Sequence, residues 1–167
     1  MSVRYNIDTD YVQILYKGAW INIIYAGCNA KYLINEKSGL LCGYSKGNYT
    51  IVSVDNNYLE AYATNASQTQ WVLFNESLSD YIGLNKKIRL KCYFTSTSNF
   101  TMCKVKGTNS SASSGSNEIA FSPSLSEKEY LFDLDSLLTD ETPYFTIVWS
   151  NSSAVHLRVT EIAIIIG

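Results

Sequence analysis

The sequence predicts an all-β protein, an antiparallel β-sandwich with an N-terminal β-hairpin, and three observations lead there. Short runs of β-branched and aromatic residues recur along nearly the whole chain, each bounded by Gly, Asn, Asp or Ser clusters that favour turns. The stretch Lys86–Phe94 alternates without a break. As a strand it would place Ile88, Leu90, Cys92 and Phe94 on one face and Lys87, Arg89 and Lys91 on the other. Thirteen tyrosines against two prolines suit strands with half-wet surfaces, since a Tyr ring is apolar and its tip polar.

Taken in order, residues 1–10 read as a polar lead-in carrying Asp8 and Asp10, used for attachment. Tyr11–Tyr25 reads as strand, Lys17-Gly18 turn and strand, with a glycine free to take positive φ at the bend. Gly27–Ala30 is a connector. The division expected is therefore 1–28 as attachment segment and hairpin, and 29–167 as the sandwich. Within the latter, Tyr49–Val54 and Tyr58–Ala63 flank an Asp55-Asn56-Asn57 turn, and Gln70–Phe74 is a short apolar run centred on Trp71. Lys86–Phe94 and Phe100–Val105 are expected to pair as a hairpin through residues 95–99. Residues 107–117 form a low-complexity loop that buries too little apolar surface to offset its ordering entropy, and is expected to be mobile. Strands are then expected at Glu118–Phe121, Glu129–Phe132, Tyr144–Trp149 and Val155–Ile166. Asp133–Leu138 can make one or two helical turns with a Ser or Asp cap. In the last strand Val155, Leu157 and Val159 face in, while His156, Arg158 and Thr160 face out. The closing Ile162–Ile166 run has no polar phase, which predicts cover on both faces, by another sheet and by a neighbour or the N-terminal hairpin.

Bulk composition narrows the function classes. At 167 residues and 46% hydrophobic content, the chain fits one domain with a small appendage. Charged residues are only 17%, with Asn, Ser and Thr supplying much of the polarity, a balance that suits extracellular or virion β-proteins. A net charge of −2 gives no global positive field, so neither nucleic acid nor an anionic membrane is an expected partner. The basic run Lys86–Lys91 reads as the solvated face of its strand. The N-terminus lacks the apolar core of a secretory signal, and no run of 18 apolar residues exists to insert in a bilayer. Synthesis in a host cytoplasm and release by lysis is the expectation. Cys28, Cys42, Cys92 and Cys103 show neither C-x-x-C spacing nor a nearby histidine, so no metal site is expected. Cys92 falls on the apolar phase of its strand and reads as a buried thiol, with a Cys92–Cys103 bridge as the alternative.

Catalytic equipment is thin, and no catalytic residue or cofactor is expected. His156 is the only histidine, and alternation places it outward beside Arg158. Asp133, Asp135, Asp140 and Glu141 read as turn and cap residues. No phosphate-binding glycine loop occurs. What remains is binding by aromatic platforms, where sugar C–H faces stack on rings and amides take the hydroxyls. Tyr44, Tyr49, Tyr58 and Tyr62 cluster with Asn56 in one turn-rich region, and Tyr58 and Tyr62 share a strand face. These five are the candidate ligand residues; the competing reading is tyrosines covering a sheet edge or a subunit interface. Trp71 and Trp149 sit in apolar runs and read as core. Tyr16 and Trp20 flank the hairpin turn, and with Ile162 and Ile164 they are the candidate assembly residues.

The pattern Tyr11-Val12-Gln13-x-Leu15-Tyr16-x-Gly18-x-Trp20 resembles a short module of bacteriophage tail and baseplate-associated structural proteins. The unit after it is similar to the jelly-roll, carbohydrate-binding-module-like domains such proteins carry, through Leu84–Leu90, Tyr130–Leu134 and the final strand. The resemblance implies a non-enzymatic virion component, on head or tail, that contacts other virion proteins and a host-surface glycan. It would act as a homo-oligomer, multiplying weak contacts into avidity. A free-standing carbohydrate-binding module is the alternative, and a small hydrolase the third reading.

Overall fold

A computed structural model describes residues 3–6, 11–16, 18–23, 30–55, 58–63, 68–96, 100–112, 115, 117–151 and 155–166. At the N-terminus, β1 (Val3–Asn6), β2 (Tyr11–Tyr16) and β3 (Ala19–Ile23) form a three-stranded antiparallel sheet in that order. The β2–β3 turn contains Gly18 at φ 80°, the positive φ that a tight hairpin bend demands. Residues 3–6 are thus not merely a lead-in: they pair with β2 from Val3–Ile14 to Asn6–Tyr11.

The remaining chain carries β4 (Lys31–Asn35), β5 (Leu40–Leu41), β6 (Tyr44–Lys46), β7 (Thr50–Asp55), β8 (Tyr58–Ala63) and β9 (Gln70–Phe74). After these come β10 (Lys86–Phe94), β11 (Phe100–Thr108), β12 (Glu118–Ala120) and β13 (Lys128–Asp133). A single-turn helix α1 (Leu134–Leu137), β14 (Tyr144–Asn151) and β15 (His156–Ile166) complete the order. The Asp133 carboxylate caps α1 by accepting from the Ser136 amide at 2.9 Å.

Two antiparallel sheets build a jelly-roll-type sandwich. One has seven strands, ordered β13–β10–β15–β4–β5, with β8 pairing the first half of β15 and β7 pairing β8. The other has five, ordered β12–β11–β14–β9–β6. Strand alternation delivers the core. Ile88, Leu90, Cys92 and Phe94 of β10 and Leu157 and Val159 of β15 point inward from the first sheet. Val72 and Phe74 of β9, Cys103 and Val105 of β11, and Phe145, Ile147 and Trp149 of β14 meet them from the second. Each fully buried Leu, Ile or Phe contributes roughly 1.5–3 kcal/mol.

Several expectations need correction. β10 and β11 do not form a hairpin: β10 has both edges taken by β13 and β15, β11 by β12 and β14, and the chain changes sheets between them. Gly107 and Thr108 belong to β11 and are buried rather than part of a mobile loop. The apolar closing run of β15 has a local cause. The β10–β15 register jumps from Lys91–Glu161 to Cys92–Val159, so Thr160 bulges and the inward phase moves from odd to even positions. Ile162 and Ile164 therefore enter the core, 0% and 2% exposed, between β10 and β4. They offer no surface to a partner, and their assembly role falls. Ala163, on the opposite phase beside Arg89 and Tyr32, is also buried.

Cys42, Cys92 and Cys103 are free thiols. Burial pushes Cys103 up to about 12, and raises Cys92 further with the neighbouring Cys103 adding to it. Cys28 lies outside the described residues.

Candidate functional site

The five-stranded sheet has an outer face set by the residues that alternate with its core positions. With Val72 and Phe74 inward, β9 turns Trp71 and Leu73 out; β14 turns out Thr146 and Val148; β11 turns out Met102, Lys104, Lys106 and Thr108. Register then aligns them across strands. Trp71, Val148 and Lys104 are successive Cα partners in one row, and Leu73, Thr146 and Lys106 in the next.

This face holds a cleft of about 360 Å³. Its apolar lining is Trp71, Met102 and Val148, with Ala112 contributed by the segment after β11. Its polar lining is Lys104, Lys106 and the hydroxyls of Thr69, Thr108 and Thr146. Thr108 and Thr146 share a buried 2.7 Å hydrogen bond, which fixes β11 against β14 at the cleft floor. Lys104 pairs with Glu118 of β12 at 2.6 Å, and Lys106 reaches the same carboxylate at 4.0 Å. The Lys104 hydrogen bond holds the Glu118 carboxyl below its ordinary range. Trp71 is only half-buried, so its expected place in the core is corrected, whereas Trp149 is fully buried as its apolar run suggested.

The predicted tyrosine platform is divided. Tyr58 and Tyr62 do share a face, the outer face of the seven-stranded sheet, on the other side of the sandwich from the cleft. There they join Tyr93, His156, Arg158 and Glu60 in a self-satisfied cluster. His156 stacks on Tyr62 with ring centres 4.6 Å apart and 13° between planes, and its Nδ1 contacts Glu60. Arg158 donates to Glu60 at 3.2 Å and lies 5.7 Å from the ring centres of both Tyr58 and Tyr93. Tyr44 lies in the other sheet, half-buried against the core, because its register partner is the inward Phe74. Tyr49 is 45% exposed in the turn before β7, and Asn56 lies outside the described residues. The four described candidates are thus not one site.

Among the acidic residues weighed for catalysis, Asp133 caps α1 and Asp135 accepts from the Gly83 amide at 2.7 Å. No group of three or more His, Cys, Asp or Glu is placed to hold a metal among the described residues. No helix among them is long and apolar enough to cross a membrane.

The sequence matches no protein-family model and no curated protein. The fold has solved counterparts. A carbohydrate-binding module of family 29 superposes with a TM-score of 0.51 at 16% identity, over 81% of this chain and 88% of that one. A mutant of a family 29 module complexed with cellulohexaose gives 0.51 at 15%, over 81% and 90%. The family 11 carbohydrate-binding module of the cellulosomal cellulase Lic26A-Cel5E of Clostridium thermocellum gives 0.54 at 15%, over 86% and 97%. At these identities the likeness establishes the fold, a β-sandwich of the carbohydrate-binding-module type.

Proposed function

We propose that the chain is a non-catalytic carbohydrate-binding module that holds a glycan in the cleft beside Trp71. The observation that carries this is the cleft's composition. One indole and two apolar side chains offer a surface for sugar C–H groups, and two ammonium groups and the exposed Thr69 sit within the same lining to meet sugar oxygens. The fold likeness to solved carbohydrate-binding modules supports it. Non-catalytic action is supported by Asp133 and Asp135, whose carboxylates serve backbone amides instead of flanking a bond to be cut. Replacing Trp71 by Ala should weaken binding to a glycan retained by the unmodified chain by about tenfold, equivalent to ~1.4 kcal/mol. Affinity electrophoresis and calorimetric titration read this directly; undiminished binding would overturn the proposal.

A second reading places the same domain on a bacteriophage particle, as a decoration or host-adhesion protein attached through its N-terminal sheet and acting as a homo-oligomer. The observation that favours it is the pair Leu15 and Trp20, cross-strand partners at the hairpin end that are 39% and 37% exposed. They present apolar surface where an attachment site would need it. A stable closed oligomer in light scattering at micromolar concentration fits this reading, and a clean monomer fits the free module.

A further inference from the structure

The polar lining of the cleft is one-sided. Its charged members are Lys104 and Lys106, and no carboxylate lines it among the described residues. Ammonium groups only donate hydrogen bonds, and Thr108 and Thr146, bonded to each other and only 2% and 1% exposed, offer a ligand little access to their acceptor lone pairs. Glu118 on the edge strand is bonded to Lys104 at 2.6 Å and stands from Lys106 at 4.0 Å, the outer limit of an ion pair. Two ammonium groups therefore share one carboxylate, leaving one positive charge in surplus among these three groups of a chain whose net charge is −2. A neutral pyranose brings hydroxyls that need acceptors as well as donors, and this lining is short of acceptors. A ring bearing an anionic group fits it better. Its C–H face would lie against Trp71, and its anion would take the ammonium that Glu118 leaves under-compensated, a charge-assisted bond stronger than a neutral one.

We infer that the cleft selects acidic saccharides, whose rings carry a carboxylate or a sulfate, and that Lys106 is the residue that reads the anion. Lys104, held by Glu118, positions the wall beside it. This inference rests on the proposed glycan-binding role of the same cleft and specifies its ligand class.

The test is calorimetric titration of the full chain, at low and high salt, with three probes: cellohexaose, a galacturonic acid oligomer, and a sulfated galactan oligomer. The inference predicts that at least one acidic probe binds about tenfold tighter than cellohexaose, with the margin shrinking as salt rises. The carboxylated and sulfated arms separate the two anion chemistries. Lys106→Met, which keeps the apolar stem, should abolish the margin by weakening the acidic probe far more than cellohexaose, and Lys106→Arg should keep it. Equal binding of neutral and acidic probes, or a margin that survives Lys106→Met, overturns the inference while leaving the cleft a glycan site. Failure of every probe to bind overturns the inference together with the role on which it rests.

Discussion

Gly47 lies against the edge of the Trp71 indole: a Cβ at this position would stand 2.9 Å from Nε1 and 3.1 Å from Cδ1. The Gly47 amide also donates to the Trp71 carbonyl at 3.1 Å, so backbone and ring are fixed against each other just beyond β6. The glycine thus forms a backstop for the aromatic wall of the cleft. Gly47→Ala should push the indole from its place, with an overpacking cost of about 1–3 kcal/mol. Since Gly47 has no positive φ, the substitution acts through the ring contact and not through backbone strain. Glycan affinity should fall several-fold while the protein stays folded, as titration calorimetry and a thermal melt would read. Unchanged affinity would mean that the position of Trp71 does not govern binding.

The Tyr58–Tyr62 face has a different part to play, in stability. Burial alone would raise the Glu60 carboxyl, but hydrogen bonds from His156 and Arg158 and the Arg158 charge outweigh it and hold the group below its ordinary range. Folding therefore favours the ionised carboxylate. The resulting stability is fully present above the ordinary carboxylate range and is lost as pH falls through the lower folded value. Glu60→Gln should lower Tm at neutral pH, and its deficit should close as the pH is taken into the acid limb. Melts from neutral pH downward check this; a deficit constant with pH would contradict it.

Burial of Ile164 makes its substitution a test of core against interface. Ile164→Lys would force an ammonium between the two sheets without a partner, at a cost of at least about 3 kcal/mol. The expected outcome is loss of the cooperative melt and of soluble yield. A stable, folded monomer derived from an oligomeric parent would instead place Ile164 at a subunit contact.

Much of the fold was legible because alternation is a local property. β9 and β10 were bounded correctly from Gln70–Phe74 and Lys86–Phe94, and the Asp133 cap was visible as an Asp ahead of an apolar run. What escaped was everything fixed between distant strands. Turn chemistry at residues 95–99 announces a loop but carries no word on which sheet the next strand joins. Trp71 read as core because its strand lacks a polar phase; Leu73, on the same outer face, is itself buried. The cleft exists only through the alignment of Trp71 with Val148 and Lys104, residues from three strands, and no local pattern records that register. The outward phase of Lys104 was present in the sequence, alternating with Cys103 and Val105, but ending the strand at Val105 hid Lys106 and Thr108. Aromatic spacing within one strand, Tyr58 and Tyr62, was the stronger signal and pointed to the wrong sheet.

Three tryptophans give the most direct test of the cleft as the binding site. Trp71 lies in the cleft, Trp149 in the core and Trp20 in the N-terminal sheet, so their indole N–H resonances report three separate places. A titration of ¹⁵N-labelled protein with a bound oligosaccharide should shift the Trp71 indole, with the amides of β11 and β14, and leave those of Trp149 and Trp20 nearly still. Movement confined to β8 and β15 around Tyr62 and His156, with Trp71 unmoved, would contradict the cleft and return the site to the opposite sheet.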